Sequence, residues 1–319
     1  MNKNNTLPSV VFFGTPKFAT YCLTFLIETG FSVLAVVTAP DSKAGRGKKI
    51  ISSAVKDYAL SKDIPVLQPI NLKATEFISK LQKLNASVYA VVAFRMLPKI
   101  VWSLPPLGTI NLHASLLPNY RGAAPINWVL INGEKETGVT TFLIDEAIDS
   151  GALLLKESIP ILIEDNFEIL HNKLLKIGAP LLSKTLLQLS GKSITPKIQK
   201  RSKLLKLAPK LNSDNTRINW NRPLGVILNQ IRGLSPYPGA WTILKNNGEN
   251  LRIKIFDAQI EKTAHFFDKG QVVVKDSKLM IATNEGCLIC KEIQLPNKKR
   301  MLVSALLNGY SIGSNARIH

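Results

Sequence analysis

Three polar side chains near the middle of the sequence have the chemistry needed to transfer an acyl group. Asn111 and His113 lie in the stretch Asn-Leu-His-Ala-Ser-Leu-Leu-Pro, and Asp149 lies in Asp-Glu-Ala-Ile-Asp-Ser-Gly. An amide and an imidazole can polarise a carbonyl group and stabilise the negative charge that develops on its oxygen, while a carboxylate can accept a proton from the attacking group. The set predicts acyl transfer without a covalent nucleophile.

The same residues also have a purely structural interpretation. An asparagine and a histidine two residues apart on a strand are often a satisfied polar pair, and a loop containing Asp-Ser-Gly is common in proteins of every class. These three residues taken alone therefore leave the catalytic and the structural interpretations open.

The elements around these residues place them at one edge of a predicted sheet. The stretch 108–113 alternates apolar and polar residues, which predicts a strand with Asn111 and His113 on one face. The stretch 140–144 predicts another strand, and Asp149 lies in the loop that follows it. Because ligands of open α/β sheets bind outside the carboxyl ends of the strands, we expect the three side chains to meet there.

The length of the matching pattern points to a family. The stretch that begins at Asn111 continues into Arg-Gly-Ala-Ala-Pro-Ile, and Asp-Ser-Gly follows at 149–151. This combination resembles the formyltransferase family that uses 10-formyltetrahydrofolate, and the whole chain resembles the members that act on methionyl initiator tRNA. The resemblance implies 10-formyltetrahydrofolate as cosubstrate and methionyl initiator tRNA as acceptor. It also implies that Asn111 and His113 donate hydrogen bonds to the oxyanion, and that Asp149 orients His113 and accepts the proton of the amine.

The resemblance further implies a folate site with two walls. One wall is the loop after a predicted strand at 87–94, where relatives usually have glycine in place of Arg95, and the other is the segment 144–149. Backbone groups of such loops can bind a pterin ring while apolar side chains cover its faces. The residues expected to bind the cosubstrate are Phe94, Arg95, Met96, Leu97, Ser115, Leu116, Leu117, Pro118, Ile144 and Asp145.

Alternating strands and helices predict the fold of the first half. This pattern is typical of a parallel, doubly wound α/β sheet, and a helical stretch at 166–190 closes a Rossmann-like formyltransferase domain expected to span 1–195. A nicotinamide cofactor is not expected, because only one glycine stands where a dinucleotide site has Gly-x-Gly-x-x-Gly. The strands that precede residue 100 are predicted at 9–14, 31–38, 64–67 and 87–94.

The composition changes after residue 195. Residues 197–210 contain six basic and no acidic side chains, so we expect a basic linker at 196–210. A helical piece at 223–232 and a series of short strands follow, as in small antiparallel barrels. The resemblance implies an OB-like tRNA-binding domain at 211–319. Its strands are predicted at 251–256, 270–275, 279–282 and 286–292.

The charge of the chain indicates a polyanionic partner. Lysine and arginine number 41 against 22 aspartates and glutamates, a net charge of +19. Residues 1–195 carry 20 basic and 14 acidic side chains, a net of +6, whereas residues 196–319 carry 21 and 8, a net of +13. Nucleic acid is the usual partner of such a basic domain, although a generally basic proteome would also account for the excess.

A glycine-rich cationic loop at 39–49 follows the second predicted strand and ends in Ala-Gly-Arg-Gly-Lys-Lys. In the family that this chain resembles, the corresponding loop enters the acceptor end of the tRNA. Ser42 and Lys43 replace the Arg-Pro that is often found just before this stretch, so contacts at these two positions are less secure. The residues expected to contact tRNA are Arg46, Lys48, Lys49, Lys206 and Lys210.

Several classes of protein are not favoured by the sequence. No apolar run reaches the roughly 20 residues of a membrane helix, and the first residues lack the apolar core of a signal peptide, so we expect a cytoplasmic protein. Cys287 and Cys290 have the spacing of half a zinc site, but no second pair of ligands accompanies them. We therefore expect no metal and two buried thiols. Nothing in the sequence requires more than a monomer.

Three rival functions remain at the level of sequence. A folate hydrolase would have the same core but would transfer the formyl group to water. A formyltransferase that acts on an amino-sugar nucleotide would share the catalytic residues, but it would need neither the cationic loop nor the basic second domain. A noncatalytic RNA-binding protein would not need Asn111, His113 and Asp149 together.

Overall fold

The computed structural model describes residues 7–44, 49–200 and 204–319. Contacts between residues divide the chain into two compact units. The first consists of 1–122, 137–159 and 172–207, and the second of 123–136, 160–171 and 208–319. Two short segments from within the predicted first domain, 123–136 and 160–171, are therefore part of the second unit. The boundaries that we expect from composition, 1–195, 196–210 and 211–319, stay a prediction.

The helices and strands follow one another along the chain in a fixed order. They are β1 (Val10–Gly14), α1 (Lys17–Glu28), β2 (Val33–Val37), β3 (Ser42–Ala44), β4 (Lys49–Ile51), α2 (Ala54–Leu60), β5 (Val66–Leu67), α3 (Thr75–Leu84), β6 (Val88–Val92), α4 (Lys99–Trp102), β7 (Thr109–His113), β8 (Arg121–Gly122), α5 (Pro125–Ile131), β9 (Glu136–Leu143), β10 (Leu153–Pro160), α6 (Phe167–Ser190), β11 (Leu207–Ala208), α7 (Leu224–Leu234), β12 (Ala240–Asn246), β13 (Glu249–Glu261), β14 (Val272–Lys275), β15 (Lys278–Thr283), β16 (Gly286–Gln294), β17 (Met301–Leu302), α8 (Val303–Leu307) and β18 (Arg317–Ile318).

A seven-stranded sheet organises the first unit, in the order β10-β9-β7-β6-β1-β2-β5. The strands from β7 to β5 pair in parallel, whereas β9 pairs antiparallel with β7 and places Phe142 opposite Asn111. The predicted α/β class is confirmed, but the sheet is mixed and not wholly parallel. Alternation of apolar residues marks a strand without fixing its direction, which is why the sequence did not predict the antiparallel pair.

The central strands of this sheet are covered on both faces. Every residue of β1 and β6 is buried, as continuous apolar runs in parallel strands require. Gly14 ends β1 where α1 approaches closely, because a Cβ atom at this position would lie 2.5 Å from the Cβ of Ala19. The lone glycine of this turn is thus explained by packing between strand and helix.

The second unit contains an antiparallel barrel whose main path runs β14-β15-β16-β13-β12-β18. The two ends of this path are nearly closed on each other. The amide of Val272 donates to the carbonyl of Ala316 at 2.9 Å, and the amide of Ile318 donates to that of Gly270 at 2.8 Å. The four predicted strands correspond to β13–β16, and the predicted C-terminal barrel is confirmed.

Two cysteines of the barrel lie three residues apart on β16 and therefore point to opposite faces. Cys290 belongs to the main core of the barrel and Cys287 to a small cluster on the other face. Burial raises the pKa of both thiols, that of Cys290 to about 12. The prediction that both thiols are buried is confirmed.

Within the described residues, no group of three or more histidine, cysteine, aspartate and glutamate side chains is arranged to hold a metal ion. In the same part of the chain, no helix combines the length and the apolar character needed to cross a membrane.

Candidate active site

Strand β7 and the loop after β9 bring two of the three predicted catalytic residues together. His113 ends β7 and is 6% exposed, and its Nδ1 lies 3.7 Å from Oδ2 of Asp149. Asn111 lies two residues earlier on the same strand and is therefore on the same face as His113. β7 and the loop after β9 thus place His113 beside Asp149, with Asn111 on the same face of β7, and the catalytic roles of the three stay a prediction.

The imidazole of His113 is held by the backbone of Tyr120. Its Nε2 lies 2.8 Å from the carbonyl oxygen of Tyr120. Because a carbonyl oxygen can only accept, Nε2 must carry the hydrogen, and Nδ1 is the nitrogen that faces Asp149. In the neutral ring Nδ1 is a proton acceptor, and it becomes a donor only when the ring is charged.

Asp149 is held by the backbone of Gly122. The amide of Gly122 donates to Oδ2 of Asp149 at 2.9 Å. Asp149 has a φ of 52°, a left-handed conformation that costs a residue other than glycine about 1 kcal/mol or more. Such a conformation persists only where the surroundings fix it, and these are often functional sites.

The loop that carries Asp149 is closed by its own polar side chains. Oδ1 of Asp145 accepts hydrogen bonds from the amide of Ala147 at 3.1 Å and from the hydroxyl of Ser150 at 2.7 Å. Asp145 is a predicted folate contact, and the structure places it where it caps this loop. Lys99 of α4 forms an exposed ion pair with Glu146 at 2.6 Å, which connects the loop to the segment after β6.

Gly151 allows this loop to pass close to β9. A Cβ atom at this position would lie 1.7 Å from the carbonyl oxygen of Leu143. We expect Gly151→Ala to lower the free energy of unfolding by about 2–3 kcal/mol, because the backbone must shift to remove the overlap. Urea unfolding would measure this loss.

A helical glycine provides the control. A Cβ atom added to Gly225 of α7 would have no described neighbour within 4 Å, so Gly225→Ala should raise the free energy of unfolding by about 0.5–1 kcal/mol. Equal stability of the wild type and the Gly151→Ala variant would contradict the close approach.

Both predicted walls of the folate site pack on the core of the first unit. Phe94 and Ile144 are both partly buried against the same apolar cluster, which also contains the buried Leu97. Met96 is 72% exposed. The structure thus brings the two predicted apolar side chains to one cluster, and their contact with folate stays a prediction.

Arg95, at the position where the resemblance led us to expect glycine, is accommodated by contacts with a neighbouring segment. Its guanidinium donates to the carbonyls of Pro69 and Ile70, and it lies 5.7 Å from the centre of the Phe94 ring. The left-handed residue of this turn is Ala93, with a φ of 49°. The bulky side chain therefore folds onto a neighbouring segment while the turn itself is made two residues earlier.

Hydrogen bonds with the side chains of Thr140 and Lys156 hold the backbone of the segment 115–118. Ser115 and Leu117 are fully buried, and the hydroxyl of Thr140 links their backbones. It donates to the carbonyl of Ser115 at 2.7 Å and accepts from the amide of Leu117 at 3.1 Å. Lys156 donates to the carbonyl of Leu117, and burial lowers the pKa of its ammonium group. These backbone groups of Ser115 and Leu117 are thus already hydrogen-bonded within the protein, whereas Leu116 and Pro118 are half-buried. Contacts of folate with all four residues stay a prediction.

The predicted tRNA contacts are described only in part. Arg46 and Lys48 lie outside the described residues, and Lys49 begins β4, which pairs antiparallel with β3. Lys206 lies beside the catalytic segment, because its carbonyl accepts from the amide of Tyr120 at 2.5 Å. Lys210 is exposed in the second unit. All five contacts with tRNA stay predictions.

Sequence reasoning missed three residues that hold His113 and Asp149, the predicted catalytic pair. Tyr120 and Gly122 act through backbone atoms, and the only signal for them was the Tyr-Arg-Gly that ends the catalytic stretch. Gln199 is a buried residue of the basic linker whose amide donates to the carbonyls of Asp149 and Gly151. Nothing in the sequence distinguished it from the lysines around it.

Comparisons with known proteins cover both units of the chain. A formyl transferase family model matches residues 8–186, and a model of the formyl transferase C-terminal domain matches residues 210–311. The chain is 47% identical to a methionyl-tRNA formyltransferase of Flavobacterium johnsoniae over 310 residues, which is 97% of this chain and 98% of that protein. It is 45% identical to that of Bacteroides fragilis over 308 residues, 95% of each.

Solved structures share the fold at lower identity. The sugar 3N-formyltransferase WlaRD has a TM-score of 0.65 and 21% identity, covering 92% of this chain and all of that one. HypX from Aquifex aeolicus has a TM-score of 0.66 and 17% identity, covering 97% of this chain and 49% of that one. These two structures are alike in fold alone, whereas the close relatives match over nearly their full length. The chain belongs to the methionyl-tRNA formyltransferases of the formyl transferase family.

Proposed function

We propose that this chain transfers the formyl group of 10-formyltetrahydrofolate to the α-amino group of methionyl initiator tRNA, as a cytoplasmic monomer. The observation that carries the proposal is identity of 42–47% with methionyl-tRNA formyltransferases along both units, including the basic second half. The cluster of Asn111, His113 and Asp149 supports the chemistry, because it contains the groups that acyl transfer to an amine requires.

Asn111 is the proposed donor to the formyl oxygen. Its side chain is half-buried in the middle of β7, and none of the described residues forms a hydrogen bond with its side-chain amide. An amide that has no protein partner and is fixed on a rigid strand is available to a ligand. It can stabilise an oxygen that gains negative charge as the amine attacks.

His113 and Asp149 together are the proposed acceptor of the proton from the amine. Nε2 of His113 is occupied by the carbonyl of Tyr120, so Nδ1 is the nitrogen that can receive a proton, and the carboxylate stabilises the resulting cation. The same pair can then return the proton to the nitrogen that leaves. This differs from a pure donor role for His113, because Nδ1 can donate to the oxyanion only after the ring is charged.

The residues predicted to bind the cosubstrate fit a folate, which supplies the activated formyl group. Phe94 and Ile144 offer apolar surface on one cluster, and the turn at Ala93 leaves Met96 exposed. Flat rings bind between such apolar side chains, while backbone groups of the loops provide hydrogen bonds.

The cationic loop around Arg46 is the proposed contact with the phosphate backbone of tRNA. We expect Arg46→Ala to reduce the slope of log binding affinity against log salt by about one unit, since one phosphate contact is lost. Filter binding of methionyl initiator tRNA between low and moderate salt would measure the slope.

Lys80 supplies a control with the same change in net charge. It lies on α3 and pairs with Glu76 at 2.6 Å, so Lys80→Ala should leave the slope unchanged. An equal reduction in both variants would show a general effect of charge and would contradict a specific contact of Arg46.

A direct assay tests the proposed function. The protein is incubated with 10-formyltetrahydrofolate and, in parallel, with methionyl initiator tRNA, methionyl elongator tRNA and an amino-sugar nucleotide. We expect product on the initiator tRNA. Product on the sugar alone would keep the catalytic assignment and overturn the acceptor, and RNA binding without any product would leave a noncatalytic RNA-binding protein.

A further inference from the structure

The basic linker contributes a buried side chain to the catalytic loop. The linker begins as Lys197 exchanges two backbone hydrogen bonds of 2.8 Å with Leu153, the first residue of β10. Two residues later the side chain of Gln199 is only 6% exposed. Its Nε2 donates to the carbonyl of Asp149 at 3.0 Å and to that of Gly151 at 2.8 Å. One amide group thus spans the backbone on both sides of Ser150.

The orientation of this amide is fixed by its partners. Oε1 of Gln199 accepts from Nε of Arg121 at 3.2 Å and from Nη2 at 2.6 Å. Carbonyl oxygens only accept and a guanidinium only donates, so the opposite orientation would set like groups against each other on both sides. Both hydrogens and the oxygen of the amide are therefore used, and glutamine is the side chain that matches this set.

Gln199 contacts the backbone of Asp149, which is the residue of this site with a left-handed conformation. Asp149 has a left-handed backbone, which neighbours must stabilise. Its carboxylate is held by the amide of Gly122, and its carbonyl is held by Gln199. Without the second contact, rotation about the backbone would carry the carboxylate away from His113.

Three consecutive residues, 120–122, connect Gln199 and Asp149 to His113. The carbonyl of Tyr120 holds His113, the side chain of Arg121 holds Gln199, and the amide of Gly122 holds Asp149. Gln199 thereby joins this segment to the loop of Asp149 and closes a ring of contacts around the catalytic pair.

We infer that Gln199 is a positioning residue, which couples the basic linker to the geometry of His113 and Asp149 by donating to the carbonyls of Asp149 and Gly151. The inference deepens the proposed function and rests on it for the assay of activity. Because the linker carries six basic side chains as well as Gln199, it would couple the placement of a polyanionic acceptor to the proton-accepting pair.

Two substitutions of Gln199 test the role of its two hydrogens. Gln199→Met keeps the length of the side chain but has no polar group, and Gln199→Glu keeps an acceptor for Arg121 but has no hydrogen for the carbonyls. We expect both variants to lower kcat by about 100-fold, as for a small misplacement of a reacting group, with KM for methionyl initiator tRNA within about twofold. Wild-type kcat in Gln199→Glu would overturn the inference, because the donors would then be dispensable.

Gln230 provides a matched control in the second unit. Its Nε2 also donates to two backbone carbonyls, those of Asn215 at 3.3 Å and of Arg217 at 3.0 Å. Gln230→Met removes the same kind of contact and should leave kcat unchanged. An equal loss of kcat in Gln230→Met and Gln199→Met would identify a general loss of structure and would contradict a positioning role.

An NMR measurement tests the positioning role of Gln199 independently of the proposed formyl transfer. The chain contains four histidines, so the ring nitrogens of His113 can be followed by NMR in protein labelled with ¹⁵N-histidine, with His113→Gln to assign them. We expect Gln199→Met to shift the His113 resonances while those of the other three histidines stay in place. Unchanged His113 resonances would overturn the positioning role, whatever the acceptor of the formyl group proves to be.

Discussion

Asn111→Ala is expected to lower kcat by about 10²–10³-fold, which is the usual cost of removing one preorganised donor from an oxyanion site. The side-chain amide lies in the middle of β7, and none of the described residues forms a hydrogen bond with it, so the substitution removes the proposed contact with the ligand and no hydrogen bond within the described part of the protein. The free energy of unfolding should therefore change by about 1 kcal/mol or less. Steady-state formyl transfer and urea unfolding on the same preparation measure the two effects.

Asn127 provides a control in which substitution should lower the stability and leave kcat unchanged. It lies on α5, and its buried Nδ2 donates to the carbonyl of Gly233 at 2.8 Å. Asn127→Ala leaves that carbonyl without its partner and should cost about 1–3 kcal/mol of stability with kcat near that of the wild type. An Asn111→Ala variant with wild-type kcat would exclude Asn111 from the mechanism.

The sequence predicted most of the fold because its strands are strongly patterned. The continuous apolar run of β1 and the alternation in β7 both indicated strands, and the structure has them within one residue of the predicted ends. The predictions were poorer where local pattern carries less information. The antiparallel direction of β9 depends on how the chain returns to the sheet, and β12 was not recognised behind its Pro-Gly turn.

In the candidate site, the sequence indicated the functional side chains but not the backbone groups that hold them. Asn111, His113 and Asp149 were found because their side chains have distinctive chemistry. The carbonyl of Tyr120 and the amide of Gly122 are identical to those of any other residue, so only the folded chain shows that they hold the side chains of His113 and Asp149. Gln199 is 50 residues from Asp149, and no short motif could connect them.

Arg95 illustrates a different limit. A glycine expected in a turn suggested that a bulky residue would disturb the local backbone. The structure moves the left-handed conformation to Ala93 and directs the arginine side chain to the carbonyls of Pro69 and Ile70. The acceptors are more than 20 residues earlier in the chain, so the accommodation depends on tertiary structure and could not be predicted from the turn alone.

The pair formed by His113 and Asp149 should behave as one unit in mutant kinetics. Asp149→Asn keeps an acceptor for the amide of Gly122, and asparagine tolerates the left-handed backbone, but the charge beside Nδ1 is lost. His113→Gln can still donate to the carbonyl of Tyr120 but has no nitrogen that accepts a proton. Each variant should lower kcat by about 10²–10⁴-fold, as expected for loss of general acid–base catalysis.

Asp63 is the control for substitution at a strained aspartate. It has a φ of 54° and is exposed near the end of α2, so Asp63→Asn changes the same residue type in the same conformation and should leave kcat unchanged. A loss in this variant similar to that of Asp149→Asn would point to the backbone and not to the charge at Asp149.

The double variant decides whether the two residues accept one proton together. If Nδ1 of His113 receives the proton and the carboxylate stabilises the cation, then removing the second residue after the first costs little more, because groups that act as a unit are not additive. Single-turnover rates of His113→Gln, Asp149→Asn and the double variant should then be similar. A double variant whose loss equals the product of the two single losses would instead assign separate roles to them, with Asp149 alone taking the proton from the amine and His113 acting only on the formyl oxygen.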